Sequence, residues 1–214
     1  SLKNTTNNVL AFFKEIKKEK LQQTKIAAFG STRRAKVTPE KDQIIKLLVQ
    51  AEPDCITIFG KTWDFHVREA LRISLEENLE MIFDSIKFLK SKADKVFFDA
   101  EHFFDGYKDD PEYSMKTLQA AIDAGAYGVH LGQEDMGLAD LEKIRAAGLR
   151  LGLSSHGYAE MLSADRFSPS YLALGAVFPT TLKRMRTAPQ GTGRLHAYAR
   201  LMRDYPLVAI GGID

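Results

Sequence analysis

The chain has 214 residues, long enough for one large domain with a substantial buried core. Its 30 basic and 28 acidic residues leave a formal net charge of +2, which excludes an electrostatic case for nucleic acid or an anionic membrane as partner. A single cysteine, Cys55, excludes an intrachain disulfide and fits a cytoplasmic, reducing location.

No apolar run approaches the roughly 18 residues of a transmembrane helix. Residues 1–8 are polar and lack the apolar stretch of a signal peptide. Residues 9–20 then place Val9, Phe12, Phe13 and Ile16 on one helical face. Residues 25–30 (KIAAFG) are the first of seven short apolar runs. A helix follows over 41–51, with Ile44, Ile45, Leu47 and Leu48 inward and Thr38-Pro39-Glu40 as its start signal. After 55–60 (CITIFG), the spacing of Leu71, Leu75, Leu79, Ile82, Phe83 and Ile86 predicts one long helix over 67–92, its charged face solvated. Run 95–99 (KVFFD) precedes a helix over 111–124. Run 127–132 (YGVHLG) precedes another over 138–147. These two helices close on Gly125 and Gly148. The last runs are 149–154 (LRLGLS), 171–178 (YLALGAVF) and 207–212 (LVAIGG). Short and nearly all apolar, the seven runs read as strands buried on both faces.

Strand and helix in alternation predict an α/β fold, a parallel (βα)-repeat barrel of the TIM type, as a single domain over 1–214. Such barrels usually have eight strands and seven are counted. The expectation is that a partner copy, closure by seven strands or the N-terminal segment covers the remaining edge, with a homo-oligomer as one outcome.

Residues 125–214 carry AYGVHLGQEDM, IRAAGLRLGLSSH, SYLALGAVFPT, TAPQG and YPLVAIGGI in order. This half resembles thiamine-phosphate synthase. Residues 9–124 carry AFFKEIKKEK, KIAAFGSTRR, TIFGKTWDFHVREALRISLEENLEMI and FFDAEHFFDGYK. They resemble the citramalate and isopropylmalate synthase group. Both families use (βα)8 barrels, and the join falls near residues 121–126.

The first resemblance implies a transferase that joins a pyrimidine pyrophosphate to a thiazole phosphate, with Mg²⁺ on the departing pyrophosphate. It implies Asp135 as a magnesium ligand, Ser154 on phosphate, and Thr180 and Lys183 on pyrophosphate. The backbone of Gly211 and Gly212 would approach the thiazole phosphate. The family's Gln-x-Arg-x-Lys stretch and Asn-Asp pair are missing, Leu182 replaces a phosphate-binding threonine, and Arg186 stands where proline is common. One carboxylate is an incomplete magnesium shell. The second resemblance implies condensation of acetyl-CoA with a keto acid at a divalent metal held by an aspartate and a His-x-His pair. His66, His102, His130, His156 and His196 stand isolated in the sequence. Arg33, Arg34, Glu101 and His102 remain as inherited strand-end residues. Asp99 and Asp105 read as loop and cap groups, and His130 as a packed, hydrogen-bonded histidine.

The expectation is a recombined or engineered chimera without a complete active site and without catalysis. It keeps a site for a phosphate- or pyrophosphate-like small molecule on Ser154, Thr180, Lys183, Gly211 and Gly212. The alternative is a working thiamine-phosphate synthase-like transferase.

Overall fold

The computed structural model describes residues 10–132, 141–146, 148–180 and 187–213. The chain forms two compact units, Ser1–Val129 and His130–Asp214. The strands are β1 (Ala27–Ser31), β2 (Cys55–Lys61), β3 (Val96–Glu101), β4 (Gly128–Leu131), β5 (Arg150–Ser155), β6 (Tyr171–Leu174) and β7 (Leu207–Ala209). The helices are α1 (10–16), α2 (Gln43–Ala51), α3 (Asp64–His66), α4 (Leu75–Lys90), α5 (Phe103–Asp109), α6 (Pro111–Asp123), α7 (Leu141–Ala146), α8 (Tyr158–Asp165) and α9 (Gly191–Leu201). Strand order is chain order, β1-β2-β3-β4-β5-β6-β7. The pairings β1–β2, β2–β3, β5–β6 and β6–β7 are parallel. Parallel neighbours linked by helices make the α/β (βα)-repeat fold of TIM-barrel type that the sequence predicts. No described helix is long and apolar enough to cross a membrane.

In the first unit, Ile56, Ile58 and Gly60 of β2 and Val96, Phe98 and Ala100 of β3 are buried, while the alternate residues are half-buried. The expected burial on both faces is therefore corrected. Helix α2 packs on β1, and α4 packs on β2 and β3. On the other face Phe29 is 63% exposed and stacks on Phe59 at 5.7 Å. The sequence hides this alternation because Cys55, Phe59 and Phe97, on the less covered face, are apolar as well.

The start of α2 also differs from expectation. Thr38 and Pro39 form a separate turn, with the Lys41 N–H on Thr38 O at 3.0 Å. The cap is Asp42, whose Oδ1 accepts from the Ile44 and Ile45 N–H groups at 2.8 and 3.2 Å. Its Oδ2 accepts from the Arg34 N–H at 3.0 Å. A carboxylate that takes several donors at once outcompetes a single threonine hydroxyl.

The helix expected over 67–92 is broken. A π turn over Val67–Leu71 ends at Arg72, which is left-handed at φ 56°. Ser74 then starts α4 afresh, its Oγ accepting from the Glu77 N–H at 3.1 Å. Ser74 followed three residues later by Glu77 is the capping-box pattern. Helix α4 buries Asn78, Met81, Ile82, Ser85, Ile86 and Leu89, so its inner face includes two polar residues.

In the second unit, β6 stops at Leu174, short of the run expected to reach 178. The Val177 and Phe178 N–H groups nevertheless donate to Ile210 O and Gly211 O, both at 3.0 Å. The residues after β6 and after β7 are thus joined by their own hydrogen bonds.

Candidate functional sites at the strand ends

The residues expected from FGSTRR follow β1. Arg33 is buried and fully engaged by its own unit. Its Nη1 lies 2.9 Å from Glu77 Oε1 and its Nη2 lies 3.0 Å from Asp84 Oδ2. Its backbone N–H donates to Ser85 Oγ at 2.9 Å. Arg34 Nε reaches Asp42 Oδ2 at 3.2 Å. Burial opposes ionisation of Asp42, but hydrogen bonds from Arg34, Ile45 and Ile44 outweigh it and hold the carboxyl below its ordinary value. Both arginines tie the β1 end to α2 and α4.

Glu101 closes β3 and pairs with Lys61 Nζ, at the end of β2, at 2.6 Å. The next residue, His102, is left-handed at φ 55°, a region that few residues other than glycine occupy. Its Nδ1 lies 2.9 Å from Asp105 Oδ2. Its ring meets His66 edge-on, with centroids 4.7 Å apart. Trp63 flanks both imidazoles, at 4.6 Å from His66 and 6.3 Å from His102. Burial first, and then the neighbouring His102, keep the His66 imidazole below its ordinary value.

The two histidines, isolated in sequence, are therefore adjacent in space. Lys61, Trp63 and His66 stand beside the expected Glu101 and His102 in this cluster, and the sequence did not single them out as candidates. The signal was available: GKTWDFH runs off the end of β2 and DAEHFFD off the end of β3, and consecutive parallel strand ends open on the same side. Asp99 lies within β3, not in a loop. Asp105 sits in the first turn of α5.

In the second unit, Ser154 stands near the end of β5, Thr180 follows the segment after β6, and Gly211 and Gly212 follow β7. The structure brings the last two loops together. Gly211 and Gly212 have φ of 87° and 70°. A Cβ on Gly212 would stand 2.6 Å from Pro179 O and 2.7 Å from Phe178 O. Only glycine fits that approach. Ser154 Oγ lies 2.8 Å from His130 Nε2, and His130 Nδ1 lies 3.0 Å from Tyr171 Oη. His130 is thus hydrogen bonded on both nitrogens. Burial pushes its imidazole down to about 4.

Asp135 and Lys183 lie outside the described residues. Among the described residues, no group of three or more His, Cys, Asp and Glu is arranged to hold a metal ion.

The thiamine monophosphate synthase family matches residues 116–214. Thiamine-phosphate synthase of Neisseria meningitidis serogroup A is 63% identical over 94 residues, 44% of this chain and 46% of that protein. The (R)-citramalate synthase of Geobacter sulfurreducens is 74% identical over 117 residues, 55% of this chain and 22% of that protein. Two regions of one chain match two different enzymes. The chain spans under half the length of the first relative and about a fifth of the second. In fold, the thiamine phosphate pyrophosphorylase of Pyrococcus furiosus superposes with a TM-score of 0.58 at 22% identity. That match covers 88% of this chain and 75% of that one.

Proposed function

We propose that the chain is a chimeric (βα)-barrel protein whose second unit binds a phosphate or pyrophosphate ester at its strand ends. The observation that carries this reading is the Gly211–Gly212 turn held against the Phe178–Pro179 backbone. Two positive-φ glycines that leave no room for side chains bring backbone within reach of an oxyanion. Ser154 and Thr180 add hydroxyls at neighbouring strand ends, and Lys183 adds the cation. Asp135 is the carboxylate this reading assigns to Mg²⁺. In the first unit, Arg33 and Arg34 serve the fold, and the Lys61–Glu101 pair with His66 and His102 is what remains of the other enzyme's strand ends.

The reading carries no complete catalytic set, so pyrophosphate binds without turnover. The test is calorimetric titration of the full chain with inorganic pyrophosphate, with and without Mg²⁺. Binding that Lys183→Ala weakens about tenfold, near 1.4 kcal/mol, is the expected result. No binding to the parent chain contradicts it. The second reading, a thiamine-phosphate synthase-like transferase, is favoured by the family match over 116–214. It predicts pyrophosphate release when a pyrimidine pyrophosphate and a thiazole phosphate are supplied together.

A further inference from the structure

Tyr171 begins β6, yet its hydroxyl reaches His130 of β4, across the whole width of β5. It passes over Gly152, its register partner on β5. A Cβ on Gly152 would fall 2.0 Å from Tyr171 Cζ. The glycine is thus the gap through which the ring lies. The phenol ring then stacks on the imidazole, with centroids 5.6 Å apart and planes 20° apart. On its far side, His130 Nε2 meets Ser154 Oγ at 2.8 Å. Three strands contribute one side chain each to a single hydrogen-bonded row.

A neutral imidazole carries one N–H and one lone pair, so the row has two possible directions. The direction follows from acidity. A phenol is a far better donor than an aliphatic hydroxyl, and an imidazole lone pair is a better acceptor than a phenol oxygen. The strongest arrangement has Tyr171 O–H donating to Nδ1 and the Nε2–H donating to Ser154 Oγ. The serine oxygen is then occupied as an acceptor, and its own proton points away from the histidine. Phosphate oxygens accept and rarely donate, so a serine held in this state is a dedicated donor to them.

We infer that Tyr171 and His130 are positioning residues that fix Ser154 as a hydrogen-bond donor to a phosphate or pyrophosphate oxyanion. The inference rests on the phosphate reading of the second unit. It adds what sets the polarity of that contact.

Two measurements on the full chain separate the inference from the reading beneath it. Long-range ¹H–¹⁵N spectra, with His130 assigned by comparison with His130→Gln, report the tautomer without any ligand. The expected wild-type form carries the proton on Nε2, and Tyr171→Phe shifts it towards Nδ1. Titration with inorganic pyrophosphate is expected to lose severalfold affinity in Tyr171→Phe and in Ser154→Ala. The double variant should lose no more than the serine variant alone. A wild-type Nδ1–H tautomer overturns the inference, as does a Tyr171→Phe protein with unchanged tautomer and unchanged binding. Additive losses in the double variant also overturn it. An Nε2–H tautomer in a chain that binds no pyrophosphate supports the row's direction but overturns the ligand, and with it the reading of the second unit.

Discussion

His130 shows how one side chain's surroundings set its chemistry. Burial lowers its folded-state value from 6.5 to about 4, so the unfolded chain takes up the proton first as pH falls. The stabilising contribution of the neutral ring is complete above about 6.5 and is lost as pH falls towards 4. Between pH 7 and pH 5 the parent chain should therefore lose stability, and this contribution is on the order of 1 kcal/mol. Urea unfolding of His130→Gln at both pH values checks it. A variant that loses as much as the parent would place the titration elsewhere. The sequence reading of His130 as a packed, hydrogen-bonded histidine was sound because GVHL sits in an apolar strand. Its partners were not legible. Ser154 and Tyr171 are 24 and 41 residues away, and only the strand register aligns them. His66 and His102 differ, since their adjacency becomes legible once β2 and β3 are recognised as consecutive parallel strands.

At the scale of elements, strands were easier to read than helix boundaries. Each of the seven apolar runs overlaps a strand, because buried parallel strands concentrate apolar residues in a few consecutive positions. The helix expected over 67–92 failed because Leu71, Leu75 and Leu79 keep helical spacing across a break. The capping residue Ser74 was the stronger signal. Thr38 misled for the opposite reason, a good cap sequence without the helix behind it. Helix α9 buries no side chain, so no apolar stripe announces it. The assignment of Asp42 as the cap makes a prediction. Asp42→Ala should cost about 2 kcal/mol in chemical denaturation, since it frees Ile44, Ile45 and Arg34 together. Thr38→Ala should stay within about 0.5 kcal/mol. Equal effects would contradict the assignment.

For the whole molecule, fold was more legible than function. Both resemblances point to the same (βα) architecture, so a chain whose two regions match two different enzymes keeps one fold class. What the sequence could not convey is how far the strand faces are covered. Phe29 and Phe59 form an apolar surface on β1 and β2, and exposed aromatic patches of this kind favour association. Self-association that rises with concentration is expected in sedimentation velocity, and Phe29→Ser should reduce it. A parent chain that stays monomeric at every concentration would contradict this.

The proposed phosphate binding rests on the strand ends of the second unit. The most direct test is an amide ¹H–¹⁵N titration of the full chain with inorganic pyrophosphate and Mg²⁺. Shifts concentrated at Ser154, Thr180, Gly211 and Gly212 are predicted, with Gly212→Ala abolishing them while the first unit's spectrum is unchanged. Shifts centred instead on Glu101 and His102, or none anywhere, would contradict it.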